Sequence, residues 1–288
     1  MVEHDLNLIK NIPRIKDLIN IKFKTEYEQP FKDFYSFNMS VLDGKCCFRN
    51  SNFKPYSNVA GKNSFLALGD IGESIENIST IRYRGYHVPL WDKYNGMEDP
   101  KLIKWNGDLW CLFVRPNHQI KKICMGLLNL NNKKSYIIED PEGRAFTKNW
   151  MPIVLEDKLF LVTDSDPFKV YEFKNEKMNL VYSSINKKYP FLIHGGSNLI
   201  DFKDKFIGIV HGRVEVSLKK YVYWHSFFSC NKDWSDMNIG KPFVFEDEQI
   251  EFCLSIDIEN DLIKVPYSTN DESLKIIEFN VEELEKLL

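Results

Sequence analysis

Five times along its 288 residues the chain repeats one element: a short apolar run, a polar turn, and a second apolar run rich in aromatic and β-branched residues. Ser40–Leu42 turns through Asp43-Gly44-Lys45 into Cys46–Phe48, and Leu102–Trp105 through Asn106-Gly107-Asp108 into Leu109–Val114. Ile153–Leu155 turns through Glu156-Asp157-Lys158 into Leu159–Val162. Leu199–Phe202 turns through Lys203-Asp204-Lys205 into Phe206–Val210, and Ile256–Ile258 through Glu259-Asn260-Asp261 into Leu262–Val265. The turns centre on residues 44, 107, 157, 204 and 260, in steps of 63, 50, 47 and 56 residues. Asn-Gly and Asp-Gly close two-residue hairpins because both positions tolerate positive φ. Five hairpins at this spacing, each with chain for about four strands, match the blades of a propeller. A β-sandwich with coincidental hairpins is the alternative, and the count and spacing favour the ring.

The expected fold is therefore all-β, a five-bladed β-propeller with short helical segments at both ends, and residues 1–288 form a single domain. Residues 1–35 are an extension packing on the propeller. Residues 5–20 carry a partly helical apolar period interrupted by Pro13, and Asn280–Leu288 opens on an Asn cap with Glu283 three positions on. Strand–helix alternation is missing, which excludes a Rossmann-type enzyme.

Composition narrows the function. Net charge is −3 and basic residues come only in pairs such as Lys121-Lys122 and Lys187-Lys188, so nucleic acid is not an expected partner. The six cysteines form no CxxC pair, and several sit inside apolar runs. They read as buried thiols of a reducing compartment, with Cys46 and Cys47 on opposite faces of one strand. No apolar run suits an export signal or a membrane span, and the cytoplasm is the expected location. Aromatic residues, 14% of the chain, serve mainly sheet packing.

Inner strands of a propeller converge on the axis, so residues at matched offsets from the turns share one pocket. Eight residues before each turn centre stand Ser36, Asp99, Asn149, Gly196 and Phe252; seven after stand Val114, Asp164, His211 and Tyr267. Arg49 and Arg115 lie close to the same level. Polar groups are costly on inner strands unless they serve a pocket or a polar network. In Glu98-Asp99-Pro100, the proline biases Asp99 to an extended backbone, so Glu98 and Asp99 face opposite ways. A carboxyl facing a closed pocket suits a general acid. In Lys148-Asn149-Trp150, Lys and Asn suit a phosphate or sugar hydroxyl, and Trp150 offers a flat face to a pyranose. His211 and Arg213 suit an anion, and the glycines of His194-Gly195-Gly196 permit close backbone approach. Asp164-Ser165-Asp166 is similar to an acidic metal motif but lacks the α/β setting that motif needs. With His87, His118 and His225 scattered, no metal and no cofactor is expected.

Gly96-Met97-Glu98-Asp99-Pro100-Lys101 resembles the Gly-x-Glu-Asp-Pro-Arg motif of the β-mannoside phosphorylases and their β-1,2-mannosyltransferase relatives, which are five-bladed propellers. Thr147–Pro152 resembles the Glu-Lys-Asn-Trp-x-Pro motif of a sugar-transferring branch. Gly195-Gly196, His211-Gly212-Arg213 and the segment Tyr267–Asp271 follow in that branch's order, so the likeness spans residues 36 to 288. It implies Asp99 as proton donor, acting through a substrate hydroxyl, and it implies Lys148, His211 and Arg213, with Arg49 and Arg115, around a phosphate. Glu98, Lys101, Asn149, Trp150, Asp164, Tyr267 and Asp271 complete the expected substrate site. Lys101 stands where the motif has Arg and Thr147 where it has Glu, which moves the expectation from phosphorolysis toward transfer. The expected activity is a glycosyltransferase moving mannose or a similar sugar from a sugar phosphate or nucleotide sugar to a carbohydrate acceptor. A β-mannoside phosphorylase or hydrolase, and a non-catalytic sugar-binding propeller, are the alternatives.

Overall fold

A computed structural model describes residues 12–53, 63–81, 95–117, 120–184, 188–189, 192–217, 220–247 and 250–288. Residues 5–11 of the expected N-terminal helix, Lys187, His87 and His118 lie outside these. After a single helical turn, α1 (Ile15–Leu18), the chain enters β1 (Phe23–Tyr27). Blade one holds β2 (Tyr35–Leu42), β3 (Lys45–Ser51), β4 (Asn63–Ile71) and β5 (Ile75–Thr80), with β6 (Asn95–Gly96) parallel to β4. Blade two holds β7 (Glu98–Trp105), β8 (Asp108–Asn117), β9 (Lys122–Asn129) and β10 (Ser135–Ile138). Blade three holds β11 (Met151–Leu155), β12 (Lys158–Ser165), β13 (Phe168–Lys174) and β14 (Lys177–Ser183). In blade four, β15 (His194–Gly195) and β16 (Ile200–Phe202) both pair with β17 (Lys205–Ser217), followed by β18 (Lys220–Asn231) and β19 (Asn238–Ile239). Blade five has β20 (Glu251–Cys253), β21 (Asp257–Glu259), β22 (Leu262–Thr269) and β23 (Leu274–Asn280).

All five expected hairpins form, and each joins the innermost strand of a blade to the next strand out. Positive φ at Asp43, Gly44, Asn106, Gly107, Glu156, Asp157, Asn260 and Asp261 is the primed-turn backbone that matches strand twist. The N-terminal extension supplies β1, which pairs antiparallel with β23 from Phe23↔Glu278 to Tyr27↔Leu274 and becomes the outer strand of blade five. At the other end Val281–Lys286 is a 3₁₀ helix, and Asn280 makes no side-chain cap.

Among the described residues the buried apolar side chains form five clusters, one at each seam between blades. Leu102 and Phe113 of blade two meet Cys47 and Leu66 of blade one, for example, and Ile263 and Val265 of blade five meet Ile207 and Phe227 of blade four. Cys46 and Cys47, as the strand period demands, enter opposite seams. All six cysteines are buried and free.

Side chains near the axis stitch each blade to the next. Ser40 Oγ accepts from Leu102 N (2.9 Å), Asn198 Oδ1 from Ile256 N (2.9 Å) and Ser255 Oγ from Val41 N (2.9 Å). Leu199 N donates to Pro152 O (2.9 Å), and Trp105 Nε1 to Asp157 O (2.8 Å). Replacing Ser255 by Ala leaves a buried N–H of Val41 without its acceptor. The expected cost is about 1–3 kcal/mol, read as a lower urea midpoint at unchanged slope; an unchanged midpoint would remove the stitch from the account of ring stability.

Candidate active site

The carboxylates sit at a defect in β7. Glu98 pairs with Val114 and Lys101 with Leu112, so Asp99 and Pro100 together oppose one residue of β8, which is the count of a β-bulge. Asp99 there has φ +52°, not the extended backbone its proline favours. Tertiary pairing overrides the local preference, and Asp is among the few side chains that tolerate this region. The bulge also cancels the alternation expected of Glu98 and Asp99. Both approach Arg49, with Nη2 at 2.6 Å from Glu98 and Nη1 at 3.9 Å from Asp99. The segment before them is fixed by Gly96 at φ +146°, where a Cβ would lie 2.1 Å from Ser64 Oγ. Ser64 Oγ in turn donates to Met97 O (3.0 Å).

Blade one carries the same defect at Asn38 (φ +51°), between Phe37 and Ser40. Asn38 Nδ2 donates to Asp99 Oδ1 (2.9 Å), and Ser268 Oγ donates to Asn38 Oδ1 (2.7 Å). A fixed offset from the turn names Ser36 instead, because the hairpin of blade one is two residues shorter past the bulge.

Asp99, only 6% exposed, is therefore oriented by one amide and one guanidinium. Asp271 joins the cluster: burial lifts its carboxyl to about 6, with Asp99 and Glu98 reinforcing the rise and Arg49 opposing it. Burial raises Glu98 too, against the pull of Arg49. Lys101 is buried on β7, and burial pushes its ammonium down to about 8 while the Asp99 carboxylate pulls it back.

Beside this cluster opens a cavity of about 430 Å³ walled by blades three and four. Lys148, Asn149, Asp164, His211 and Arg213 of the expected site line it, together with His194 and Arg144, which were not foreseen as site residues. Gly195 permits the two blades to meet, since a Cβ there would lie 2.2 Å from Asn149 O. Arg144 is gripped by two carboxylates, Asp140 (Nη2 at 2.8 Å) and Asp164 (Nη1 at 2.5 Å), and its pKa moves up. The Glu98–Asp99 pair is not part of the cavity wall. Lys148 links the two regions: its charge acts on Glu98 and Asp271 on one side and on His194 and His211 on the other.

Three expected residues contribute no exposed side chain there. Trp150 borders the cavity but is fully buried in the seam between blades two and three, so it offers no face to a sugar. Asn149 before it, at φ +65°, turns the chain there. Tyr267 is 1% exposed on β22, stacks on Phe245 at 4.4 Å and donates to Glu246 (2.6 Å), a packing role in blade five. Arg115 is buried on β8, its Nε on Pro116 O (3.2 Å), and is not on the cavity wall. No group of His, Cys, Asp or Glu suited to a metal ion occurs among the described residues.

From the cavity inward run three histidines on adjacent strands, His194↔His211↔His225. Burial lowers all three, His194 to about 4 with help from Arg213 and Lys148, and His225 to about 3. The unfolded chain therefore takes up protons below pH 6.5 that the folded chain refuses until near pH 4, so stability falls as pH falls across that window. Three such groups give a limiting slope of about 4 kcal/mol per pH unit. His225→Phe, set among Phe243 and Phe245, is expected to lower that slope by about one third; denaturation midpoints measured from pH 7 to 4.5 check this.

No protein-family model matches the chain, and no curated protein matches it in sequence. Solved structures do match. The β-1,2-mannobiose phosphorylase of Listeria innocua aligns over 92% of this chain and 99% of its own, with TM-score 0.61 and 12% identity. A mannose phosphorylase of Leishmania mexicana aligns over 99% and 96% (0.63, 10% identity), and a GDP-Man-dependent mannosyltransferase of the same organism over 90% and 90% (0.62, 12%). At such identities the likeness establishes the fold, and the chain has the five-bladed propeller of these proteins over nearly its whole length.

Proposed function

We propose that the protein is a carbohydrate-active enzyme that transfers a mannosyl or similar residue between a phosphate-bearing partner and a carbohydrate. One observation carries the reading: a buried carboxylate, Asp99, oriented by Asn38 and Arg49, stands in a cluster with Glu98 and Asp271, which feel the charge of Lys148 on the wall of a cavity that His194, His211 and Arg213 also line. Cations and neutral imidazoles that converge on one side suit a phosphate. The acid beside them suits proton transfer. The fold shared with two mannose-acting phosphorylases and a mannosyltransferase supports the same assignment.

In the transfer direction the acceptor hydroxyl attacks the anomeric carbon and gives up its proton, which reaches Asp99 by way of a sugar hydroxyl. The bond from that carbon to the phosphate oxygen breaks, and the phosphate leaves with its electron pair toward Lys148 and Arg213. Run in reverse, with free phosphate as nucleophile, the same steps are phosphorolysis. Lys101 favours transfer, because an ammonium lacks the bidentate fork of the arginine in the phosphorylase motif.

Incubation with mannose-1-phosphate, GDP-mannose and short β-mannosides, followed by mass spectrometry of the products, tests the assignment; no turnover of any of them would remove it. Asp99→Asn keeps a residue that accepts positive φ and is expected to lower the rate by two orders of magnitude or more. A variant as active as the wild type would remove Asp99 from the proton-transfer role. Lys148→Met is expected to raise KM for the phosphate-bearing substrate about tenfold or more, and an unchanged KM would place the phosphate elsewhere.

A further inference from the structure

The two most exposed of the large apolar side chains described are Phe146 (61%) and Leu192 (60%), and both belong to the wall of the cavity. That wall is otherwise dominated by charged and hydroxyl groups. Phe146 is held firmly. Ile123 N donates to Ala145 O (2.9 Å) and Thr147 N to Ile123 O (3.1 Å), which clamps its backbone to β9 on both sides. A ring presented to water from a hydrogen-bonded backbone leaves apolar area ready for a bound partner to cover.

The cavity's charges are unevenly paired. Arg144 stands two residues before Phe146, and its guanidinium is met by Asp140 and Asp164. Thr163 and Asp164 offer partners to hydroxyl groups, and His194, His211 and Arg213 line the same cavity. Lys148 Nζ lies 5.5 Å from the centre of the Phe146 ring. An aromatic face beside carboxylates and hydroxyls is suited to a pyranose, whose C–H face is apolar and whose rim is all hydroxyl, and poorly suited to an anion.

From this exposure and its polar surroundings we infer that Phe146, with Leu192 on the same wall, is the stacking platform for the neutral sugar that accepts or leaves. The inference rests on the sugar-transfer reading above and adds the residue that sets acceptor affinity. Calorimetric titration of the whole chain with β-1,2-mannobiose, inorganic phosphate and GDP tests it in the wild type, Phe146→Ala and Phe146→Tyr. Phe146→Ala is expected to weaken mannobiose about tenfold while phosphate changes less than about twofold, and Phe146→Tyr restores mannobiose. Equal mannobiose affinity in wild type and Phe146→Ala overturns the platform alone, whereas a wild type that binds no mannobiose overturns the sugar-transfer reading as well. A variant weakened toward GDP but not mannobiose would show a base stacking on the ring and overturn the inference. So would a dimer, seen by sedimentation, that Phe146→Ala dissolves.

Discussion

Everything at the candidate site depends on side chains that tie neighbouring inner strands together at the axis. Strand pairing acts within a blade and apolar contact acts at the seams, but neither fixes the height at which one inner strand stands against the next. Ser40, Asn198 and Ser255 do, each accepting a backbone N–H from the following blade. Those bonds set the level at which Asn38 meets Asp99 and Arg49 meets Glu98. Hydroxyl and amide oxygens suit the task, because a buried N–H without an acceptor is costly.

The charges follow a division of labour. Around Asp99, burial and mutual repulsion push Glu98 and Asp271 toward the neutral form, and Arg49 resists both. On the cavity wall burial keeps His194 and His211 neutral, so they act there as hydrogen-bonding groups, leaving positive charge to Lys148 and Arg213. The charge of Lys148 acts on both groups, favouring the ionised form of Glu98 and Asp271 and the neutral form of His194 and His211.

Much of this was legible beforehand. Turn chemistry is local, and Asp43-Gly44 and Asn106-Gly107 therefore announced the ring without tertiary knowledge. The offset argument reached Asp99, Asn149, Asp164 and His211. It failed at Asn38, because the hairpin of blade one is shorter, and a count from the turn cannot see where a bulge falls. Asp99 was misread for a related reason, since its positive φ breaks the alternation expected of Glu98 and Asp99, and the flat face read for Trp150 is packed into the seam between blades two and three. Arg144 and Phe146 precede β11 in irregular chain, where no offset applies, and His194 was seen only as part of a glycine string. Tyr267 had the right offset on the wrong face, since β22 turns it to Phe245.

The pairing of β1 with β23 has a consequence for how the molecule is made. Residues some 250 positions apart along the chain must find each other before the fifth blade is whole, so four blades exist in synthesis order before the ring has any way to shut. Until then β23 presents an open edge, ready to pair with the wrong strand, and the native partner has the advantage only of being tethered to the same chain. Closure is thereby the slow, long-range event that nearby hairpins cannot hasten.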